Sequence, residues 1–181
     1  KYDIRGNVIE LAEYDAEGKL KGRTIYIYKY DNKGNRIESL MYNAQGELEI
    51  REICKYDDKG NKIEEAYYNS QGELKGKIIY KYDNKGNLIE QARYSYKEGI
   101  EEKTIFKYDR GNIIELSYYN SQGKLKEKII YKYDNKGNLI EQSNYNAQGK
   151  LDIKYIWEYD DKGNKIKMAW YKVEKKTDKK N

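Results

Sequence analysis

The stretch of residues 62–87 reads KIEEAYYNSQGELKGKIIYKYDNKGN. It holds two segments rich in Ile and Tyr, and each is followed by a turn string that begins with Asn or Asp and has Gly in fourth place. That string is typical of a type I turn closed by a left-handed glycine, which makes a three-residue hairpin loop. The stretch therefore predicts consecutive antiparallel strands with no helix between them.

The same pattern recurs along the chain about every 26 residues. One turn string, Tyr-Asp-x-x-Gly-Asn, begins at Tyr2, Tyr30, Tyr56, Tyr82, Tyr133 and Tyr159, and a copy one residue shorter begins at Tyr108. A second string, Tyr-Asn/Asp-x-x-Gly, lies between these copies and begins at Tyr14, Tyr42, Tyr68, Tyr119 and Tyr145. These signals predict an all-β fold, an antiparallel up-and-down meander of about 13 strands built from seven repeats, as an open or curled sheet.

The repeat signals also predict the domain organisation. Residues 1–171 form a single β-repeat array in this interpretation, and residues 172–181 are a polar, Lys-rich tail that we expect to be disordered. The chain begins inside a turn string, whereas natural arrays usually carry atypical caps. We therefore expect a piece of a longer chain, or a subunit of a larger assembly whose neighbour supplies a strand.

The composition excludes several kinds of site. The chain has 181 residues, with 36 Lys and Arg, 31 Asp and Glu, 22 Tyr, one Cys, no His and no Pro. Without His there is no catalytic imidazole and no imidazole metal ligand, and a single Cys cannot form an internal disulfide. No apolar run approaches the roughly 18 residues of a membrane-spanning helix, so no membrane-spanning segment is expected.

Turn geometry predicts the register of each hairpin. Counting back from the turn at Asn69, a straight ladder pairs Tyr68 with Leu74 and Glu64 with Ile78. It also pairs Ile63 with Ile79, and the same offset pairs isoleucines across three other hairpins: Ile37 with Ile53, Ile114 with Ile130, and Ile140 with Ile156.

This register predicts two different faces. One carries the turn-flanking tyrosines, a second aromatic residue from each repeat, and small residues at positions 12, 66, 92 and 169. A column of glutamates falls on the same face: Glu10, Glu38, Glu64, Glu90, Glu115 and Glu141. The other face carries an Ile stripe bordered by Lys75, Lys77, Lys81, Lys126, Lys128 and Lys132, and we expect it to be the wetter one.

The tyrosine-rich face is the candidate ligand-binding surface. Rows of Tyr can stack sugar rings or bases, or they can be the core of a thin sheet that buries ring area while the hydroxyls reach water. The glutamates can accept hydrogen bonds from sugar hydroxyls or hold cations, or they can bond to Tyr hydroxyls within the sheet. The candidate residues are Tyr80, Tyr82, Phe106, Tyr108, Tyr131, Tyr133, Trp157, Tyr159, Glu64, Glu90, Glu115 and Glu141.

Other kinds of chemistry have little support in the sequence. Six near-identical glutamate positions do not make one cleft, so we expect no enzyme activity and no catalytic residue. The Asp- and Asn-rich turns are explained by turn initiation, and we expect neither a metal nor a cofactor. The net charge is only +5 with interleaved signs, so a nucleic acid is not an expected partner. Cys54 stands at an aromatic position and is interpreted as a small apolar substitute.

The Tyr-Asp-x-x-Gly-Asn-x-Ile element, as at residues 82–89, and the return to Tyr-Asp after a second Gly turn resemble the YD repeats of RHS-type bacterial surface and toxin-shell proteins. A looser similarity is to MORN-type repeats, which are also aromatic-rich Gly-turn meanders. The YD resemblance implies hairpins that wind into a continuous sheet with tyrosines on its inner side, and an extracellular or cell-surface location in bacteria. The period here is longer than the usual YD repeat.

Two hypotheses for the function follow. The first is a non-enzymatic β-repeat module of a bacterial surface or secreted protein, which holds a glycan or protein partner on its tyrosine-rich face. The alternative is a structural spacer or toxin-shell segment without a ligand of its own. A third hypothesis, an anion- or nucleic-acid-binding surface, would use the Lys-bordered face.

Overall fold

The computed structural model describes residues 1–96 and 99–173, and within these ranges it contains strands and turns but no helix. The strands are β1 (Glu10–Tyr14), β2 (Leu20–Tyr30), β3 (Arg36–Tyr42), β4 (Leu48–Tyr56), β5 (Lys62–Asn69), β6 (Leu74–Tyr82), β7 (Leu88–Ser95), β8 (Gly99–Asp109), β9 (Asn112–Asn120), β10 (Leu125–Tyr133), β11 (Leu139–Asn146), β12 (Leu151–Tyr159) and β13 (Lys165–Lys172).

The strands pair in chain order in one antiparallel sheet. Its order runs from β1 to β13 without a crossover, so these two are the edge strands and the meander is open. The prediction of an all-β meander of about 13 strands is confirmed for the described residues. Of the predicted tail, Lys172 belongs to β13, and residues 174–181 lie outside the described residues. The described part of the chain contains no helix that could span a membrane.

The chain divides into two compact units. The first comprises Lys1–Tyr80 with Arg93–Gly99, and the second comprises Lys81–Ala92 with Ile100–Asn181. The first unit contains β1–β5 and most of β6, and the second contains β9–β13 and nearly all of β8.

The predicted turns are present. At the turn that leads into β6, the amide of Gly72 donates to the carbonyl of Asn69 at 3.0 Å, and the amide of Asn69 donates to the carbonyl of Glu73 at 3.0 Å. Gly72 has φ 78°, a left-handed conformation that glycine adopts without steric cost. The shorter turn between β8 and β9 places Arg110, a non-glycine residue, at φ 48°. Asx-led turns with a left-handed Gly therefore set the strand boundaries.

A bulge follows the turn in each hairpin whose register the structure describes, and it changes the register. After the turn at Asp134, Tyr133 pairs with Leu139 but Lys132 pairs with Glu141, so Ile140 is an extra residue in β11. Ile37, Ile63 and Ile114 are extra residues at the equivalent positions. The predicted register is therefore wrong by one residue beyond each turn, because a straight ladder has no place for the inserted residue.

The bulge also changes which residues share a face. Lys132 lies opposite Glu141, and Tyr131 lies opposite Gln142. Residues directly opposite in an antiparallel pair share a face, while neighbours along a strand point to opposite faces. We call the face that carries Lys132 and Glu141 the charged face, and the face that carries Tyr131 the aromatic face. The same register in the first unit puts Glu64, opposite Lys55, on the charged face.

Three sequence-based assignments are corrected by this register. The glutamates lie on the charged face and not on the tyrosine-rich face, since Glu64 pairs with Ile79 rather than Ile78. The small residues also lie on the charged face, since Ala66 is opposite Ile53. The turn-flanking tyrosines divide between the two faces, because those of the second turn string lie opposite Lys or Arg on the charged face: Tyr68 opposite Arg51, Tyr119 opposite Lys103, and Tyr145 opposite Lys128.

Small side chains occupy the most buried positions. Ala66, Ala92, Ser117 and Ser143 are only 3%, 2%, 2% and 1% exposed. Ser143 lies opposite Ile130 of the neighbouring strand, as Ala66 lies opposite Ile53. The branched Ile side chains are placed to cover the small residues beside them, and this buries apolar area on the charged face.

Candidate ligand-binding faces

Each of the eight aromatic residues predicted as ligand contacts lies on the aromatic side of its own strand. Tyr131 and Tyr133 alternate with Lys132 along β10, and Trp157 and Tyr159 alternate with Glu158 along β12. The same alternation places Tyr80 and Tyr82 on β6, and Phe106 and Tyr108 on β8, on the aromatic side of their strands. The four predicted glutamates, Glu64, Glu90, Glu115 and Glu141, are not among them.

Several tyrosine hydroxyls of this face are used within the protein. The hydroxyls of Tyr133 and Tyr159 donate to the carbonyls of Ile113 and Leu139, each at 2.9 Å. Tyr56 makes the same bond to Arg36 in the first unit, also at 2.9 Å. Burial raises the pKa of Tyr133. These hydroxyls therefore link one repeat to the preceding one, and the ring surfaces are what remains for a ligand.

A row of polar side chains lies between aromatic residues on β10–β12. Gln142 pairs with Tyr131 on one side and with Tyr155 on the other. The Gln142 amide donates to Asn144 Oδ1 at 2.9 Å, and the Asn144 amide donates to Glu127 Oε1 at 3.2 Å. Sequence reasoning missed this row. A comparison of repeats could have found it, because Gln142 and Asn144 occupy the positions that Glu65 and Tyr67 have in an earlier repeat.

A stacked aromatic pair adjoins this row. Tyr155 and Trp157 stack with ring centroids 6.0 Å apart and planes 13° apart. Trp157 and Tyr159 also line part of a hollow of about 590 Å³ between the turns at Asp134 and Asp160, together with Glu141 and Ile156 of the charged face. The Lys136 ammonium donates to the carbonyl of Asp161 at 3.0 Å and ties the two turns together. The aromatic face thus offers flat rings and amide groups within three strands.

The charged face holds each predicted glutamate between cations. Lys132 and Lys154 lie 3.1 Å and 3.0 Å from the Glu141 carboxylate. Burial opposes ionisation of Glu141, but hydrogen bonds from these lysines and Ser143 lower its pKa. In the first unit the hydrogen bond from Lys29 is the largest cause of the lowered pKa of Glu38.

The other members of the column follow the same arrangement. Glu64 is bridged by Lys55 at 2.6 Å and Lys77 at 3.9 Å, Glu90 by Lys81 at 2.7 Å and Lys103 at 3.9 Å, and Glu115 by Lys107 at 2.9 Å. Cations on neighbouring strands thus satisfy these carboxylates, as partly buried charges require.

The first unit carries a different, charged cluster on its aromatic face. Cys54 lies opposite Glu65, and its thiol donates to Glu52 Oε1 at 3.1 Å. Burial and then this carboxylate raise the pKa of Cys54 to about 11. Arg36 contacts Glu52 at 3.2 Å, and Lys62 contacts Glu65 at 2.8 Å.

Among the described residues, the side chains of this cluster have ligand atoms close enough together to hold a metal ion. The carboxylates of Glu52 and Glu65 and the Cys54 sulfur have ligand atoms within 4.8 Å of one another. Arg36 and Lys62 already supply the positive charge that a metal ion would bring. The contacts are those of a self-neutralised network, and the absence of a metal cofactor stays a prediction.

Comparisons with known proteins give a fold likeness only. No protein-family model matches the chain, and no curated protein is significantly similar to it. Among solved structures, TcdB2-TccC3 without its hypervariable C-terminal region aligns at 16% identity and a TM-score of 0.51, over 86% of this chain and 10% of that one. A porin-like protein from Bacteroides uniformis aligns at 11% identity and a TM-score of 0.41, over 93% of this chain and 85% of its own.

The first of these similarities bears on the fold. It supports a β-repeat of the YD type, as the sequence resemblance implied, while the MORN-type similarity stays a prediction. The chain spans about a tenth of the length of that structure. At this identity nothing beyond the fold follows.

Proposed function

We propose that this chain is a non-enzymatic β-repeat module of a larger bacterial surface or secreted protein, and that it binds a glycan through the aromatic face of β10–β12. The observation that carries the proposal is the in-register row of Tyr131, Gln142 and Tyr155, with Trp157 beside it. The surface or secreted location rests on the YD resemblance.

The chemistry of this row suits a sugar. Flat aromatic rings cover the apolar face of a sugar ring, and amides donate to and accept from hydroxyl groups. Gln142 and Asn144 are partly exposed, and each amide carries more donor and acceptor positions than its hydrogen bonds within the row use. A neutral ligand rich in hydroxyl groups therefore complements the row better than a purely apolar one.

The environment of the glutamates supports a binding role over hydrolysis. A general acid for glycoside cleavage needs a raised pKa, so that it holds a proton near neutral pH. The pKa values of Glu115 and Glu141 are instead lowered, because hydrogen bonds from lysine and serine outweigh the effect of burial. These carboxylates also lie on the face opposite the aromatic row.

A glycan array of the purified chain at about 150 mM salt, followed by tryptophan fluorescence titration of each hit, tests the proposal. We expect a reproducible hit whose affinity falls about tenfold or more in Trp157→Ala, the loss of roughly 1.4 kcal/mol of contact. Tyr68→Ala is the matched control, because that tyrosine lies on the charged face. A blank array with folded protein would contradict glycan binding. Binding of a protein partner that is lost in Trp157→Ala would mean that the ligand of the aromatic face is a protein and not a glycan.

The second candidate function is a structural spacer or shell segment. It is favoured by the bonds that tie successive repeats together, namely the Tyr133 and Tyr159 hydroxyls on backbone carbonyls and the Lys136 ammonium on the next turn. A spacer predicts a blank array and a length-dependent effect of repeat deletion, without any effect of Trp157→Ala.

A further inference from the structure

Lysine and tyrosine form a repeating pair on the charged face of the second unit. Lys103 lies opposite Tyr119, and its ammonium is 5.6 Å from the centre of the ring. Two strands further on, Lys128 lies opposite Tyr145 at 5.4 Å. Lys154 and Tyr171 are directly opposite each other two strands beyond that. Strand spacing puts successive pairs about 10 Å apart in a line across the strands.

The glutamates of this face leave a positive surplus. Glu90 and Glu141 are each shared by two lysines, one from each flanking strand. Glu115 has the same neighbours, since Lys107 bonds to it and the charge of Lys128 also lowers its pKa. Glu115 and Glu141 each neutralise one of their two cations, so each of these two groups leaves one positive charge, whereas Glu158 and Lys167 at the end of the unit balance each other.

We propose that this line of Lys–Tyr pairs binds a linear anionic polysaccharide that runs across β8–β13 on the charged face. Each pair offers an ammonium for an acidic substituent and an adjacent aromatic ring for the sugar that carries it. The site is independent of the proposed function, because it uses the opposite face and different residues.

The spacing of charge favours a polysaccharide over nucleic acid. Duplex DNA carries one charge per about 1.7 Å, whereas the surplus on this face is one charge per about 10 Å. A linear polyuronate, with one carboxylate on each sugar ring and no second strand, comes closer to that sparse pattern than a nucleic acid does. The lysines are partly exposed, since the side chains of Lys103 and Lys154 are 36% and 21% accessible.

The test is a titration of the folded chain with polygalacturonate, a linear polyuronate, over a range of salt concentrations. We expect binding that weakens with salt and that falls at least tenfold in the triple variant Lys103→Gln, Lys128→Gln, Lys154→Gln. The slope of log affinity against log salt should become shallower by about one for each lysine removed. The control triple, Lys124→Gln, Lys150→Gln, Lys162→Gln, has the same net charge and changes exposed turn lysines.

A gain-of-binding variant separates this site from general charge effects. Glu115→Gln with Glu141→Gln removes carboxylates that compete for the lysines, so polygalacturonate affinity should rise several-fold. The proposal is overturned if wild-type protein does not bind polygalacturonate at low salt, if the control triple loses as much affinity as the test triple, or if oligothymidine binds more tightly. A blank result for neutral glycans leaves this proposal unaffected, because their site lies on the other face.

Discussion

Two hairpins place different chemistry at the same positions of the repeat. In β5, Glu65 lies opposite Cys54, and the cluster around them is charged. In β11, Gln142 lies opposite Tyr131, and its neighbour along the face is Asn144. Both positions belong to the aromatic face and both follow the same turn and bulge. The backbone of the repeat therefore accepts either chemistry.

The comparison shows where the repeats vary and where they do not. On the charged face, the glutamate between two cations recurs in both units, as at Glu64 and Glu141. On the aromatic face, the first unit neutralises its charges internally through Arg36 and Lys62. The second unit keeps amides with unused hydrogen-bonding positions there. We infer that the charged face maintains the sheet in both units, whereas specificity for a neutral ligand resides in the aromatic face of the second.

Replacing the acid of the charged cluster should have the largest effect on stability. Glu65→Leu removes the ion pair to Lys62 and the hydrogen bonds from Tyr67 and Tyr80, at a site where the glutamate side chain is only 14% exposed. We expect a loss of about 2 kcal/mol in the free energy of unfolding, measured by urea denaturation. Gln142→Leu, the matched change in β11, should cost less than about 1 kcal/mol. Equal losses would mean that the two regions do not differ as described.

The thiol of Cys54 gives a second test of the charged cluster. Because its pKa is raised from 9.0 to about 11, the folded thiol stays protonated and should react with iodoacetamide at pH 8 far more slowly than in urea. Between pH 9 and 11 the unfolded chain loses this proton first, so the thiol's contribution to stability falls as pH rises. Cys54→Ala should lack that part of the pH dependence. Rapid labelling of the folded protein would contradict the buried environment.

The smallest expected effect concerns the buried serine of the second unit. Ser143 Oγ donates to Glu141 Oε1 at 3.0 Å, while the equivalent position in the first unit is Ala66, which makes no such bond. Ser143→Ala should therefore lower the free energy of unfolding by about 1 kcal/mol or less, since Lys132 and Lys154 still hold the carboxylate. Thermal denaturation can measure it. A loss well above that of Glu65→Leu would show that the serine has a role beyond this bond.

Turn chemistry made the strand plan predictable, because a residue such as Gly72 fixes its turn locally. The register was not predictable from the same local rules. Ile140 and its equivalents look like ladder residues in the sequence, but each is the extra residue of a bulge. A shift of one residue moves every side chain beyond it to the other face. The glutamate column was therefore assigned to the wrong face although its spacing was read correctly.

The candidate site was predictable in part for the same reason. Tyr131, Tyr133, Trp157 and Tyr159 share a face because they alternate along their own strands, and a bulge in the partner strand leaves that alternation unchanged. Gln142 could be joined to them only through the cross-strand register. Its pairing with two tyrosines becomes visible only when the bulge is included.

A fluorescence titration that compares wild type with the double variant Gln142→Leu, Asn144→Leu, using a neutral glycan hit, tests directly whether the amide row binds the ligand. Trp157 and Trp170 report on the aromatic face, since Trp170 lies opposite Tyr155. We expect the double variant to stay folded and to bind the glycan at least about tenfold more weakly, because the amide contacts are lost while the rings remain. An unchanged affinity in the folded double variant would contradict the claim that this amide row binds the ligand.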